Sequence, residues 1–75
     1  MTVQSLNKNV QCAANTDVVI DYPSATVASS YIFLGIGAAS AGSVNKIVPL
    51  FGRGVLVRSS VAQGITAYWL AISVQ

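Results

Sequence analysis

The only charged side chains in this chain are Lys8, Lys46, Arg53 and Arg58 against Asp17 and Asp21, and six charges cannot clothe the surface of a 75-residue monomer. Globular domains devote about a quarter of their residues to Asp, Glu, Lys and Arg. Here the share is 8%, while 53% of the residues are hydrophobic. Part of the surface is therefore expected to be covered by something else. Copies of the chain or a larger assembly are the expected cover, because obligate interfaces resemble a domain core cut in half.

Size points the same way. A single core of this length supplies only about 3–5 kcal/mol, and small chains add disulfides, a metal or oligomerisation. Cys12 is the sole cysteine and there is no His. An intrachain disulfide is excluded, and no structural zinc set can be assembled. Oligomerisation is the route left, and no cofactor is expected. The four cations are scattered rather than clustered in the stripe that nucleic-acid binding requires, so no nucleic-acid partner is expected. The opening Met-Thr-Val-Gln-Ser lacks a basic segment followed by an apolar run, so no secretory signal is read and synthesis in the cytoplasm is expected.

Local patterning reads as β throughout. Val, Ile, Thr and Tyr recur in short runs punctuated by Gly, Pro, Asn, Asp and Ser, and no run keeps helical spacing for long. The expected fold is all-β, a small antiparallel sandwich or barrel of about six strands in one domain, residues 1–75. The strands are placed at Val3–Val10, Asp17–Tyr22, Thr26–Ile36, Val44–Leu50, Gly54–Ser60 and Ile65–Val74. Interleaved Gln, Asn and Lys mark the first as an edge strand, and Pro49 puts the end of the fourth at an edge or bulge. Tyr31-Ile32-Phe33-Leu34 reads as a strand buried on both faces. Val61-Ala62-Gln63-Gly64 has the length and the glycine of a hairpin loop, so the fifth and sixth strands are expected to pair antiparallel.

Several chemistries can be weighed against this frame. The uncharged stretch from Tyr22 to Asn45 is diluted by Ser and Thr and falls short of the roughly 20 apolar residues of a membrane helix, so no membrane span is expected. Gly35-Ile36-Gly37 after an apolar strand lacks the following helix and the later acid of a dinucleotide fingerprint. Asp17 and Asp21, the only carboxylates, would stand roughly 13 Å apart on a strand, too far to share a proton. Cys12 has no His to activate it. No acid, base and nucleophile set is present, so the chain is read as no enzyme.

What remains are groups suited to contact. Tyr68 and Trp69 fall on opposite faces of the last strand; Tyr68 shares its face with Leu70 and Ile72 and is expected in the core. Trp69 is then the leading residue for an intersubunit or sugar-stacking contact. With Tyr31, Phe33, Phe51 and Arg58 it forms the set of interface or ligand candidates, residue types that are enriched at interfaces. As a carbohydrate-binding module, the chain would stack Trp69 or an exposed Tyr on a sugar, with Asp21 or Asn15 supplying hydrogen bonds.

Val55-Leu56-Val57-Arg58-Ser59-Ser60 followed by Gly64-Ile65-Thr66-Ala67-Tyr68-Trp69-Leu70 resembles the hairpin pattern of phage tail-fibre and related virion β-modules, in which a strand with an internal Arg precedes a Gly turn and a strand carrying Trp. The resemblance lies in the last third of the chain, within residues 54–75. It implies a non-enzymatic structural protein of a bacteriophage virion: a capsid decoration, head-fibre or tail-associated component. It further implies a symmetric homo-oligomer, a trimer by analogy with fibres, with other capsid or tail proteins as partners. A host-surface glycan is a further partner the resemblance implies.

Overall fold

The computed structural model describes residues 1–23 and 30–73. Six strands account for most of them: β1 (Thr2–Cys12), β2 (Val18–Asp21), β3 (Ser30–Ala38), β4 (Val44–Leu50), β5 (Gly54–Ser59) and β6 (Gln63–Ser73). The other regular element is a single 3-10 turn at Ala41–Ser43. The strands build two three-stranded antiparallel sheets, one in the order β1-β6-β3 and the other β2-β5-β4. The expected all-β class and strand number therefore hold. The fourth strand lies where Pro49 and its flanking turns place it, on the edge of its sheet, and β1 is likewise an edge strand. The expected start of the third strand at Thr26 and the end of the sixth at Val74 lie outside the described residues.

The two centre strands carry the core. Along β6 burial alternates strictly, with Ile65, Ala67, Trp69 and Ala71 facing in. Along β5, Val55 and Val57 face in and Leu56 and Arg58 face out. Ile65, Ala67 and Trp69 meet Val55 and Val57, Ile20 of β2 and Cys12 of β1 in one buried cluster shared by both sheets. The period-two pattern dictates this arrangement, because successive side chains leave a strand on opposite sides.

Three expectations are corrected. Strands β5 and β6 do not pair. Each is the centre strand of its own sheet, with both edges already taken, β5 by β2 and β4, β6 by β1 and β3. The segment between them turns a corner from one sheet to the other. Ser59 fixes that corner: its hydroxyl donates to the Val61 carbonyl at 2.7 Å and accepts from the Val61 N–H at 3.2 Å. Gln63 braces the same place, its side-chain amide donating to Ser59 Oγ and to the Ser40 carbonyl, both at 3.0 Å, and its oxygen accepting from the Ser40 N–H at 2.9 Å.

The second correction concerns Tyr31-Ile32-Phe33-Leu34, which is not buried on both faces. Tyr31 and Phe33 are half-buried and face in, while Ile32 and Leu34 are exposed. The reason is position: β3 is an edge strand whose outer face has no layer over it among the described residues. A bulge between Phe33 and Gly35 leaves Leu34 without a cross-strand partner.

Third, the two aromatic residues of β6 are exchanged. Trp69 is 1% exposed and Tyr68 is 42% exposed. Ala67 and Ala71, flanking Trp69 on the inner face, are small and leave room for the indole. Tyr68, Leu70 and Ile72 make the outer face the more hydrophobic in composition, so composition pointed the wrong way.

Candidate binding hollow and docking surfaces

Beyond the end of β2 the chain continues into Tyr22, whose backbone N–H donates to the Arg53 carbonyl at 2.9 Å. That bond pins Tyr22 to the turn between β4 and β5, itself closed by the Arg53 N–H donating to the Leu50 carbonyl at 3.0 Å. Gly52 occupies the left-handed region at φ 76°, which glycine enters without a Cβ penalty. Phe51, one residue earlier, is pushed wholly into solvent, with a relative exposure of 106%.

Tyr22 lies flat against Tyr31 at the start of β3, with ring centroids 3.9 Å apart and 7° between planes. It also meets Trp69 edge to face at 5.6 Å, and Phe33 tilts against Trp69 at 6.3 Å. Edge-to-face and offset contacts of this kind add about 0.5–1.5 kcal/mol beyond area burial. Tyr22, Ser30, Tyr31, Phe51 and Gly52 enclose a hollow of about 270 Å³. Three of its five lining residues are aromatic, and Ser30 and Gly52 complete it. Such a lining suits a small ring with an apolar face and a hydroxylated rim. Asp21 and Arg53, neighbours in sequence of Tyr22 and Gly52, form an exposed ion pair at 3.2 Å.

The five contact candidates are thereby separated. Tyr31 and Phe51 line the hollow. Trp69 and Phe33 are packed behind it; burial removes Trp69 from any direct intersubunit or sugar contact. Its indole N–H has no hydrogen-bond partner among the described residues. Arg58 is elsewhere, on the outer face of β5, where its guanidinium reaches Asp17 at 3.3 Å. Lys46, its cross-strand neighbour, reaches the other oxygen of Asp17 at 3.4 Å. The Arg58 hydrogen bond lowers the pKa of Asp17, outweighing a desolvation effect that raises it, and Lys46 lowers it further. Asn15 stands at the opposite end of β5 from the hollow, in a left-handed turn with its N–H on the Ser59 carbonyl at 2.7 Å. Tyr22 is the site residue that sequence reasoning missed. In the sequence it stands only as the end of the second expected strand, Asp17–Tyr22.

Charge is divided between the two sheets. Asp17, Asp21, Lys46, Arg53 and Arg58 gather in three ion pairs at or beside the outer face of β2-β5-β4. Lys8 is the sixth charge, on β1 opposite Ala67 and exposed at the sheet edge. The outer face of β1-β6-β3 carries none. One end of that face is apolar, with Val3, Ile32, Leu70 and Ile72 together; the other is a row of amides, Asn7, Asn9 and Gln11, with Asn9 donating to Thr66 Oγ1 at 2.8 Å.

Burial raises the pKa of the Cys12 thiol, which holds it protonated and unreactive. Among the described residues no group of three or more His, Cys, Asp or Glu is placed to hold a metal ion, and no helix is long and apolar enough to cross a membrane. Compared with known proteins, the chain has no significant match to a family model, a curated protein or a solved structure.

Proposed function

We propose that this chain is a non-enzymatic structural protein of a virion, a capsid decoration, head-fibre or tail-associated component, in which the two sheets stack as a small β-sandwich and copies associate as a symmetric oligomer. The observation that carries the reading is the division of charge: an entire outer sheet face has no charged residue. Depletion of charge is the compositional mark of the buried part of an interface. The sequence likeness to virion β-modules gives the class of assembly, although the hairpin pairing that pattern implies is not formed.

The test is native mass in detergent-free buffer, by light scattering across a dilution series, with peptide detection in gradient-purified particles from the producing culture. A discrete oligomer and co-purification with particles are expected. A monomer at every concentration overturns the assembly reading.

The hollow favours a second reading, recognition of a glycan. Aromatic faces at its wall and a fully solvated Phe51 at its rim are groups on which a sugar ring stacks. Glycan-array binding that is lost in Phe51→Ala supports it; a blank array removes it. Trp69→Ala is no control for this purpose, since Trp69 is a core residue.

A further inference from the structure

Among the described residues the two three-stranded sheets have four edge strands, and three of these edges are blunted. The edge of β4 carries Pro49, Lys46 and a bulge between Val44 and Lys46. That of β3 is interrupted by the bulge at Leu34. Strand β2 is four residues long, with Asp17 and Asp21 at its limits and Pro23 beyond. These are the devices by which proteins prevent edge-to-edge pairing: proline, charge, bulges and shortness.

β1 has almost none of them. It is eleven residues long and keeps an unbroken register with β6 from Thr2↔Ser73 to Cys12↔Gln63. It contains no proline, no bulge and one charge, Lys8. Among the described residues no strand lies on its other side. We propose that a second copy of this chain adds to that edge, antiparallel and about a two-fold axis, to make a continuous six-stranded sheet in the order β3-β6-β1-β1-β6-β3. The proposal rests on the assembly reading above and names the surface it uses.

A second copy is the occupant that the strand itself fits. Two-fold pairing centred near Leu6 or Asn7 sets Lys8 opposite Gln4 or Leu6 of the partner subunit, never opposite the partner's Lys8. On the outer face, centring at Leu6 sets Ser5 opposite Asn7 of the partner subunit, and centring at Asn7 sets Ser5 opposite the partner's Asn9 and Asn7 opposite the partner's Asn7, so uncharged donors and acceptors face each other across the joint. A strand of this length supplies about ten ladder hydrogen bonds, the number found in an ordinary protein interface. Both outer faces without charge come to lie side by side in the joined sheet.

The experiment places like charges at the axis. Ser5→Lys with Asn7→Lys adds two exposed cations per chain that confront their copies only if β1 meets β1; cross-strand like charges repel. Leu34→Lys puts a cation on the same sheet at its far edge. Light scattering should give twice the chain mass for the native protein and for Leu34→Lys, with dissociation at least roughly tenfold easier for the double lysine variant. Amide exchange of the native dimer should show β1 protected along both edges. A native trimer, or a dimer broken by Leu34→Lys and not by the β1 lysines, overturns the β1 joint and leaves the assembly reading standing. A native monomer overturns both.

Discussion

Tyr22 and Tyr31, one following β2 and the other opening β3, stack face to face with centroids 3.9 Å apart and so tie the two sheets together at the end where the hollow forms. Tyr31→Ala should therefore lower stability by about 2 kcal/mol, since it removes half-buried aromatic area and a ring contact. Phe51→Ala should change it by less than about 0.5 kcal/mol, because a solvated side chain loses little on truncation. Urea unfolding of the two variants checks both values. Equal losses would mean that Phe51 packs against the hollow.

Asp17 makes the fold sensitive to acid. Its pKa is lowered in the folded chain, first by Arg58 and then by Lys46, so the ionised form is the one that folding favours. The contribution is full above the ordinary aspartate value of about 3.9 and fades as pH falls through the lowered one. Asp17→Asn should flatten the fall of the urea midpoint between about pH 5 and pH 2 relative to the native chain. Added salt should shrink the difference, because the ion pairs are exposed.

Gly54 allows β5 to run close beneath the end of β2. A Cβ there would collide with the Ile20 carbonyl oxygen and approach the Asp21 Cα to 2.9 Å, and both are backbone atoms of a paired strand rather than the end of a flexible side chain. Gly54→Ala is expected to cost more than about 2 kcal/mol, in the range of overpacked cores. At Gly42, where an added Cβ meets nothing within 4 Å, the same substitution should fall within about 0.5 kcal/mol of native. Thermal unfolding of the pair makes the comparison.

Gln63 is a buried polar residue with every polar atom of its side chain engaged. Gln63→Leu leaves the Ser59 hydroxyl and the Ser40 backbone groups short of partners at the sheet-to-sheet corner. A loss of about 1–3 kcal/mol is expected in urea unfolding. Ser59→Ala should cost a similar amount, and the double variant less than the sum, because both act on one network.

Much of this fold is legible in the residues, for reasons that can be named. Pro49 announces an edge because it has no N–H to give a second neighbour, and the polar interleaving of β1 announces another. What the sequence hides is which strands are neighbours. Two apolar strands joined by a short glycine-containing link look like a hairpin, yet each is wanted as a centre strand, and a centre strand of one sheet cannot also pair with that of the other. Trp69 was misplaced because Ala67 and Ala71 make its face look weakly apolar, although small neighbours are what a large indole needs. The hollow was half visible: Tyr31 and Phe51 were candidates on residue type alone. Their meeting with Tyr22 depends on the β4–β5 turn lying beside the end of β2, a relation that no local pattern encodes.

Among the described residues β1 finds its ladder on β6, and that register consists of pairings between residues far apart in the chain. Sheets of this kind close late, in milliseconds to seconds, because the loop entropy must be met before any rung forms. Until β6 arrives, β1 lacks the ladder that holds it in the folded chain. At high concentration the waiting strand can be captured by the β6 of another molecule, giving an exchanged dimer with the same rungs drawn from two chains. Renaturation from denaturant would then yield species that depend on how crowded the chains were at the moment of closure, and dilute refolding is the condition under which each β1 meets its own β6.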